Sequence, residues 1–393
     1  MNDELEIFWP ELTAPDIWEV QVSYGYCKNT SHQLCESVGG LIWRDYPVGW
    51  QLREFLANSV SDLLLIVTDP EAVLSGYAIH CLVKGLSGGF RACGPVYNLS
   101  DNPEQQAQLP ASYLNVSSYV EIARYLSETA SGSRQTARPL DPACVLYRRD
   151  YLEYLVDADG GNHSPQQLAA MPAPVGIASD ALVHRFGNYY NGGREDLVEL
   201  VPPNISRVLD IGCANGGYGR HLKQVRPDIR IVGVELNSIM AESARGCYDE
   251  IITSPIEQVK IHEKFDLVNC GDILEHLENP WQMLKRIYQL LNDGGYLVLS
   301  VPNAGHWTVI KDLLNGKFEY LPVGLLCISH VRWFTESSIR QALADAGFGI
   351  DKISRQQLSP TPEGRKFISR MCESGDGNEE SLLTNEIIIR AVK

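Results

Sequence analysis

No two of the ten cysteines form a CxxC pair. Cys27, Cys35, Cys81, Cys93, Cys144, Cys213, Cys247, Cys270, Cys327 and Cys372 are scattered, several inside apolar runs where a reduced thiol behaves as a small hydrophobe. A disulfide framework and a structural zinc site are thereby disfavoured. No apolar run reaches membrane-spanning length, and the opening MNDELEIFWPELTAPD lacks the basic and apolar pattern of a secretory leader, so the chain is expected to be cytoplasmic. Positive charge is also scarce. With 33 Lys and Arg against 49 Asp and Glu, the net charge of −16 opposes nucleic acid as a partner, since phosphate neutralisation supplies most of that affinity. There is no internal repeat and no low-complexity tract. What remains is an ordinary globular composition, 44% apolar and 21% charged, over 393 residues, long enough for two cores.

The informative stretch is Val208 to Leu222, VLDIGCANGGYGRHL, an apolar run that ends in a glycine-rich turn and restarts as a helix pattern. Val208, Leu209 and Ile211 have the character of a buried strand, while Gly212, Gly216, Gly217 and Gly219 allow close backbone approach. Free backbone N–H groups at such a strand, turn and helix junction can hold a polar or anionic ligand group. Asp210 stands at the strand end, where a carboxylate is costly unless it accepts hydrogen bonds from the turn or a ligand amine. The dinucleotide spacing GxGxxG is not met. A second strand, Arg230 to Val234, ends in Glu235, where a doubly wound fold puts the acid that takes both ribose hydroxyls.

Asp210 to Gly216, DIGCANG, resembles motif I of class I S-adenosylmethionine-dependent methyltransferases, with Ala214 where the second glycine is usual. FDLVNCGDILEHLENP from Phe265 resembles the fourth strand and following helix of that family. The resemblance implies an α/β fold, a seven-stranded Rossmann-like sheet over residues 179–393, and S-adenosyl-L-methionine as cofactor. It places Asp210, Gly212, Cys213, Ala214, Gly216, Glu235, Leu236, Gly271 and Asp272 around that cofactor. After the strand Glu250 to Thr253, Pro255 occupies the position of an acid that commonly reads the adenine amine, leaving Ile256 and Glu257 as the nearest candidates. Ser179 to Val201 resembles a helical lead-in, with Tyr189, Tyr190 and Arg194 placed to cover the cofactor.

Further on, Asn279 and Pro280 suit the start of a helix that Asn292 to Gly295 closes, and Tyr296 to Val301 reads as the fifth strand. Residues 303–335 form a long connection, a length usually tied to function, before a helix capped by Thr335. Strands at Gly349 to Ser354 and Glu386 to Val392 complete the sheet, with the polar residues 359–385 as a loop.

In the N-terminal part, Trp18 to Tyr24 alternates as a strand, Ser61 to Val67 reads as a buried strand, and Glu71 to Leu86 as a helix before Arg91 to Asn98. The order WEVQVSYG, LLLIVTDPE, CGPVYN and LDPACVLYRRDYL resembles an inverting, family-2-like GT-A glycosyltransferase. The resemblance implies a smaller α/β domain at residues 1–156 with an acidic metal-binding motif near LLLIVTDPE. Only Asp69 stands there, and the 17 residues before Trp18 are too few for the family's opening strand and helix, so a truncated domain without transfer activity is expected. Residues 157–178, rich in Gly, Pro and Ala, read as a linker.

Methyl transfer to an alcohol requires alignment and a base. His330 in SHVRWF, then His306, then His276 are the candidates, each near a strand end in sequence. Asp272, Glu275 and His276, helped by His330, also offer mixed ligands for a divalent ion, although the reading carried forward has no metal. The expected acceptor is a sugar or glycan hydroxyl. The alternatives are a phenolic or quinone-type ring, because this half also resembles ubiquinone-biosynthesis methyltransferases, and a bifunctional chain. The N-terminal part would then serve as an active transferase or as a docking module for a glycan-assembly partner.

Overall fold

The computed structural model describes residues 4–11, 18–136, 138–171, 174–186 and 193–393. They belong to two compact units, Met1–Gly187 and Asn188–Lys393.

The first unit begins with β1 (Leu5–Pro10), every residue of which is buried, followed by α1 (Trp18–Cys35), β2 (Leu41–Tyr46), α2 (Leu52–Ala57) and β3 (Leu63–Val67). Then come β4 (Ala72–Val73), α3 (Gly76–Leu86), β5 (Ala92–Tyr97), α4 (Val116–Thr129), β6 (Ser133–Gln135), β7 (Cys144–Arg148), α5 (Arg149–Asp159), α6 (Pro165–Ala169) and β8 (Val175–Arg185). The sheet runs β2-β1-β3-β7-β5-β8-β4, with β6 on β8. Strand β3 is apolar without interruption and β1 is broken only by the buried Glu6, which Arg44 binds (2.9 Å); the two pair parallel to each other in the middle of the sheet and are buried on both faces. On α3, Ala78, Ile79, Cys81, Leu82, Gly85 and Leu86 form the buried stripe, and Ser75 caps the start by accepting from Ala78 N.

Three sequence expectations are corrected here. WEVQVSY is the first part of α1, since seven alternating residues are a weaker signal than the 18-residue helix they open. The segment before Trp18 is long enough for a strand, β1, which sits between β2 and β3. Residues 157–178 are not a linker: they hold the end of α5, all of α6 and the start of β8, whose Val175 pairs with Ala92. At the C-terminal end of β3, Asp69 is bound by Arg185 (2.6 Å), which also binds Asp141 (3.0 Å).

The second unit comprises α7 (Glu195–Val198), β9 (Arg207–Ile211), α8 (Gly217–Val225), β10 (Arg230–Glu235), α9 (Ser238–Ala244), β11 (Glu250–Thr253) and β12 (Phe265–Gly271). After these follow α10 (Pro280–Leu290), β13 (Leu291–Pro302), α11 (Trp307–Leu314), α12 (Glu336–Asp345), β14 (Gly349–Gln357), α13 (Pro362–Glu373), α14 (Glu379–Leu383) and β15 (Thr384–Val392). The seven strands lie in the order β11-β10-β9-β12-β13-β15-β14. All are parallel except β15, which pairs antiparallel with both β13 and β14. The order reverses at β9, whose neighbours are β10 and β12, so the ligand crevice of such a sheet opens above the ends of β9 and β12.

The helical lead-in is also revised. Residues 179–185 belong to β8, α7 covers four residues, and Tyr189 and Tyr190 lie outside the described residues. Asn292 to Gly295 fall within β13, where its register with β12 shifts. The connection 303–335 contains α11, and residues 359–385 contain α13 and α14 in place of a loop. Those three helices share a small core of Trp307, Phe367, Ile368 and Leu382.

Candidate active site

At the end of β9 the chain turns at Gly212, where φ is +77° and an added Cβ would fall 2.0 Å from Ile273 Cδ1. Only glycine fits. Ala214 takes φ of +44°, a left-handed conformation that a side chain disfavours, and its N–H donates to Glu235 Oε2 (2.8 Å). The other oxygen of Glu235 accepts from Asn237 N (2.8 Å), so the acid at the end of β10 closes over the glycine turn. Cys213 is buried in the core, Gly216 precedes α8 at φ of +81°, and Leu236 is exposed.

Asp210 lies beneath this turn with 1% exposure. Tyr248 Oη donates to its Oδ2 (2.5 Å), Asn269 Nδ2 donates to its Oδ1 (2.7 Å), and Tyr248 Oη accepts from Gly219 N (3.0 Å). Burial pushes its carboxyl up to about 6, while the Asn269 and Tyr248 bonds pull the other way. Asp210 is therefore a brace tying β9, β12 and the start of α8 together. Ile256 is buried with its carbonyl taken by Arg286, and Glu257 is exposed.

At the end of β12, Gly271 leads into Asp272, whose φ of +52° is again left-handed. Arg194 fixes it by donating to Asp272 Oδ2 (2.5 Å), and Ser300 Oγ donates to Oδ1 (2.8 Å). The same guanidinium binds Asp196 (3.0 Å) and Glu386 (2.6 Å). Burial, and then the charge of Asp272, push Glu386 upward to about 8. Arg194 thus turns inward to carboxylates. The sequence reading missed this hub, because Glu386 is 192 residues away from Arg194.

One turn past Asp272, Glu275 is 1% exposed and neither carboxylate oxygen has a hydrogen-bond partner. Burial first, then Asp272, raise its affinity for a proton well above the ordinary carboxylate range. Its backbone carbonyl accepts from Val331 N (2.9 Å) and Arg332 N (3.0 Å), which pins the long connection beside it. His276 and His330 meet there with ring centroids 4.7 Å apart, and one ligand atom from each of Glu275, His276 and His330 lies within 4.8 Å of the others. His330 is pushed down to about 4 by burial and by His276. Its Nδ1 lies 3.2 Å from Leu325 O, a carbonyl that can only accept, so Nδ1 carries the proton and Nε2 is left bare. His306 plays a different part. It caps α11 through Nδ1, which accepts from Thr308 N, and burial pushes it down to about 3.

Residues 180–353 match the family model described as a methyltransferase domain. The second unit is a methyltransferase domain. The chain is an enzyme of this kind, and S-adenosylmethionine is its methyl donor. An uncharacterized 37.1 kDa protein in a transposon of Streptomyces fradiae is 24% identical over 309 residues, covering 75% of this chain and 80% of that protein. The ubiquinone biosynthesis O-methyltransferase of Azorhizobium caulinodans is 26% identical over 204 residues, 49% of this chain and 75% of that protein. A crystal structure of an S-adenosylmethionine dependent methyltransferase from Mesorhizobium loti is 17% identical, with a TM-score of 0.36, covering 51% of this chain and 96% of that one.

Proposed function

We propose that this methyltransferase transfers a methyl group to a hydroxyl oxygen of a small molecule, a phenolic or quinone-type ring being the acceptor class that the ubiquinone biosynthesis relative favours. The observation that carries the reading is the joining of His330 and His276 to the buried Glu275, one turn past Asp272.

The cradle fits the cofactor because the turn at Gly212 has no room for a side chain and Glu235 stands over it. In this reading Glu235 takes the ribose hydroxyls, the Gly212 to Gly216 turn takes the polar tail, Leu236, Ile256 and Glu257 border the adenine, and Gly271 and Asp272 border the transfer point. Bound S-adenosylmethionine supplies a methyl on a sulfonium, so the departing sulfur needs no acid. The protein's task is to align the acceptor and remove its proton. His330 is neutral at physiological pH, and its bare Nε2 is the proton acceptor; His276 stacks edge-on against it, and the buried His306, whose Nδ1 lone pair caps α11, is left out of the proton transfer.

A second reading is favoured by the unpartnered carboxylate of Glu275: with His276 and His330 it would hold a divalent cation, whose Lewis acidity eases loss of the hydroxyl proton. Expected for His330→Ala is a fall in kcat of at least about tenfold and up to the ~10² to 10⁴-fold worth of a positioned base, with cofactor Kd unchanged. The assay is mass spectrometry for a product one methylene heavier, offering catechols, free sugars and nucleotide sugars. A methylated sugar would replace the phenol class. Turnover lost to chelator and restored by Mg²⁺ or Mn²⁺, with kcat falling as far in Glu275→Gln and His276→Ala as in His330→Ala, would replace the base with the metal.

A further inference from the structure

Four carboxylates gather around the ends of β12 and β15: Asp196, Asp272, Glu386 and Glu275. Arg194 is the one cation paired with them among the described residues, reaching Asp272 at 2.5 Å, Glu386 at 2.6 Å and Asp196 at 3.0 Å. A guanidinium stays protonated at any working pH. Two aspartates against one arginine leave a net negative charge even if Glu386 and the unpartnered, buried Glu275 each hold a proton, and ionisation of either deepens it. The buried His330 adds no compensating charge.

The charge is also fixed in place. Asp272 sits in a left-handed turn and is held by Arg194 and by Ser300 Oγ, while its own N–H donates to Ser300 Oγ (3.1 Å). A non-glycine residue kept at positive φ and bound on both oxygens is held against its backbone preference at the mouth of the crevice.

Methyl transfer changes the charge of the cofactor. The C–S bond breaks, sulfur keeps its electron pair, a C–O bond forms, and the hydroxyl proton passes to the base. A sulfonium cation therefore becomes a neutral thioether. We propose that the Arg194-centred carboxylate cluster reads this difference, favouring the sulfonium donor over the thioether product and so promoting exchange of spent cofactor. The inference rests on the cofactor site described above.

The test is calorimetry on the full chain with S-adenosylmethionine and S-adenosylhomocysteine as probes. Asp272→Asn removes the charge while keeping a residue type that tolerates left-handed backbone. The ratio of the thioether Kd to the sulfonium Kd is expected to fall by about tenfold, equivalent to about 1.4 kcal/mol, because the sulfonium loses more than the thioether. Asp196→Asn, on the same guanidinium but away from the strand end, should shift the ratio in the same direction and guards against a misfolded Asp272 variant. An unchanged ratio, or an equal loss for both probes, overturns the proposal and leaves the cluster a structural tie. Wild-type protein that binds neither probe overturns the cofactor site itself.

Discussion

Asp210 is a carboxylate kept from water, and its titration makes the fold sensitive to pH. Burial pushes it up from 3.8 to about 6, so the folded chain holds this proton more tightly than the unfolded one. Its contribution to stability is present below about pH 4 and is lost as pH rises through about 6. The rise from 3.8 to about 6 corresponds to about 3 kcal/mol. In the cofactor-free protein, wild type is therefore expected to lose more stability than Asp210→Asn between about pH 4 and pH 7, by up to that amount. Denaturant melts at the two pH values check it, and parallel slopes would contradict the buried-acid account. The placing of Asp210, Gly212 and Glu235 at one turn was legible because a glycine turn between an apolar strand and a helix is a local pattern. Tyr248 and Asn269 were not, since they reach Asp210 from 38 and 59 residues away through strand register and loop path that no local pattern records.

Among elements, the group α11, α13 and α14 has the least support from the main core and stands on its own four-residue cluster. Trp307 is its centre, so close to α13 that a Cβ on Gly364 would lie 2.7 Å from the indole. Trp307→Ala should cost about 3–5 kcal/mol locally, in line with truncation of a large buried aromatic. The glycine turn and Glu235 are carried by β9 and β10, so cofactor Kd should hold while acceptor turnover falls. Loss of cofactor binding in this variant would show that the helices support the cradle as well. These helices escaped the sequence reading because residues 359–385 are polar overall and only Phe367 and Ile368, with Leu382 beyond, mark a buried side. The central strands were legible for the opposite reason: β9, β10 and the second half of β13 are largely apolar runs bounded by turn residues, a signal that needs no tertiary information, while β12, interrupted by Asp266 and Asn269, was read through its resemblance to a known strand.

At the scale of the whole molecule, the two units differ in what the ends of their parallel strands offer. In the second unit the crevice is lined by glycine, by strained residues and by an unpartnered acid. In the first, Asp69 is bound to Arg185, which is shared with Asp141, and Ser100 Oγ donates to Asp141 (2.6 Å). With Asp69 and Asp141 paired to Arg185, this end shows no free acidic pair for a metal-bound diphosphate among the described residues. The full chain with Mn²⁺ is expected to leave nucleotide sugars untouched; turnover that disappears in Asp69→Ala would overturn this. Strand β15 adds a constraint of another kind. It is the shared neighbour of β13 and β14, inserted between them although β14 is made before it. While the ribosome is still short of residue 384, β13 presents a row of unpaired backbone groups and β14 has no seat in the sheet. Such an edge pairs readily with other chains. Holding the nascent protein soluble over that interval is a task for chaperones, and slowed translation just before β15 would prolong the exposure and lower the yield of folded enzyme.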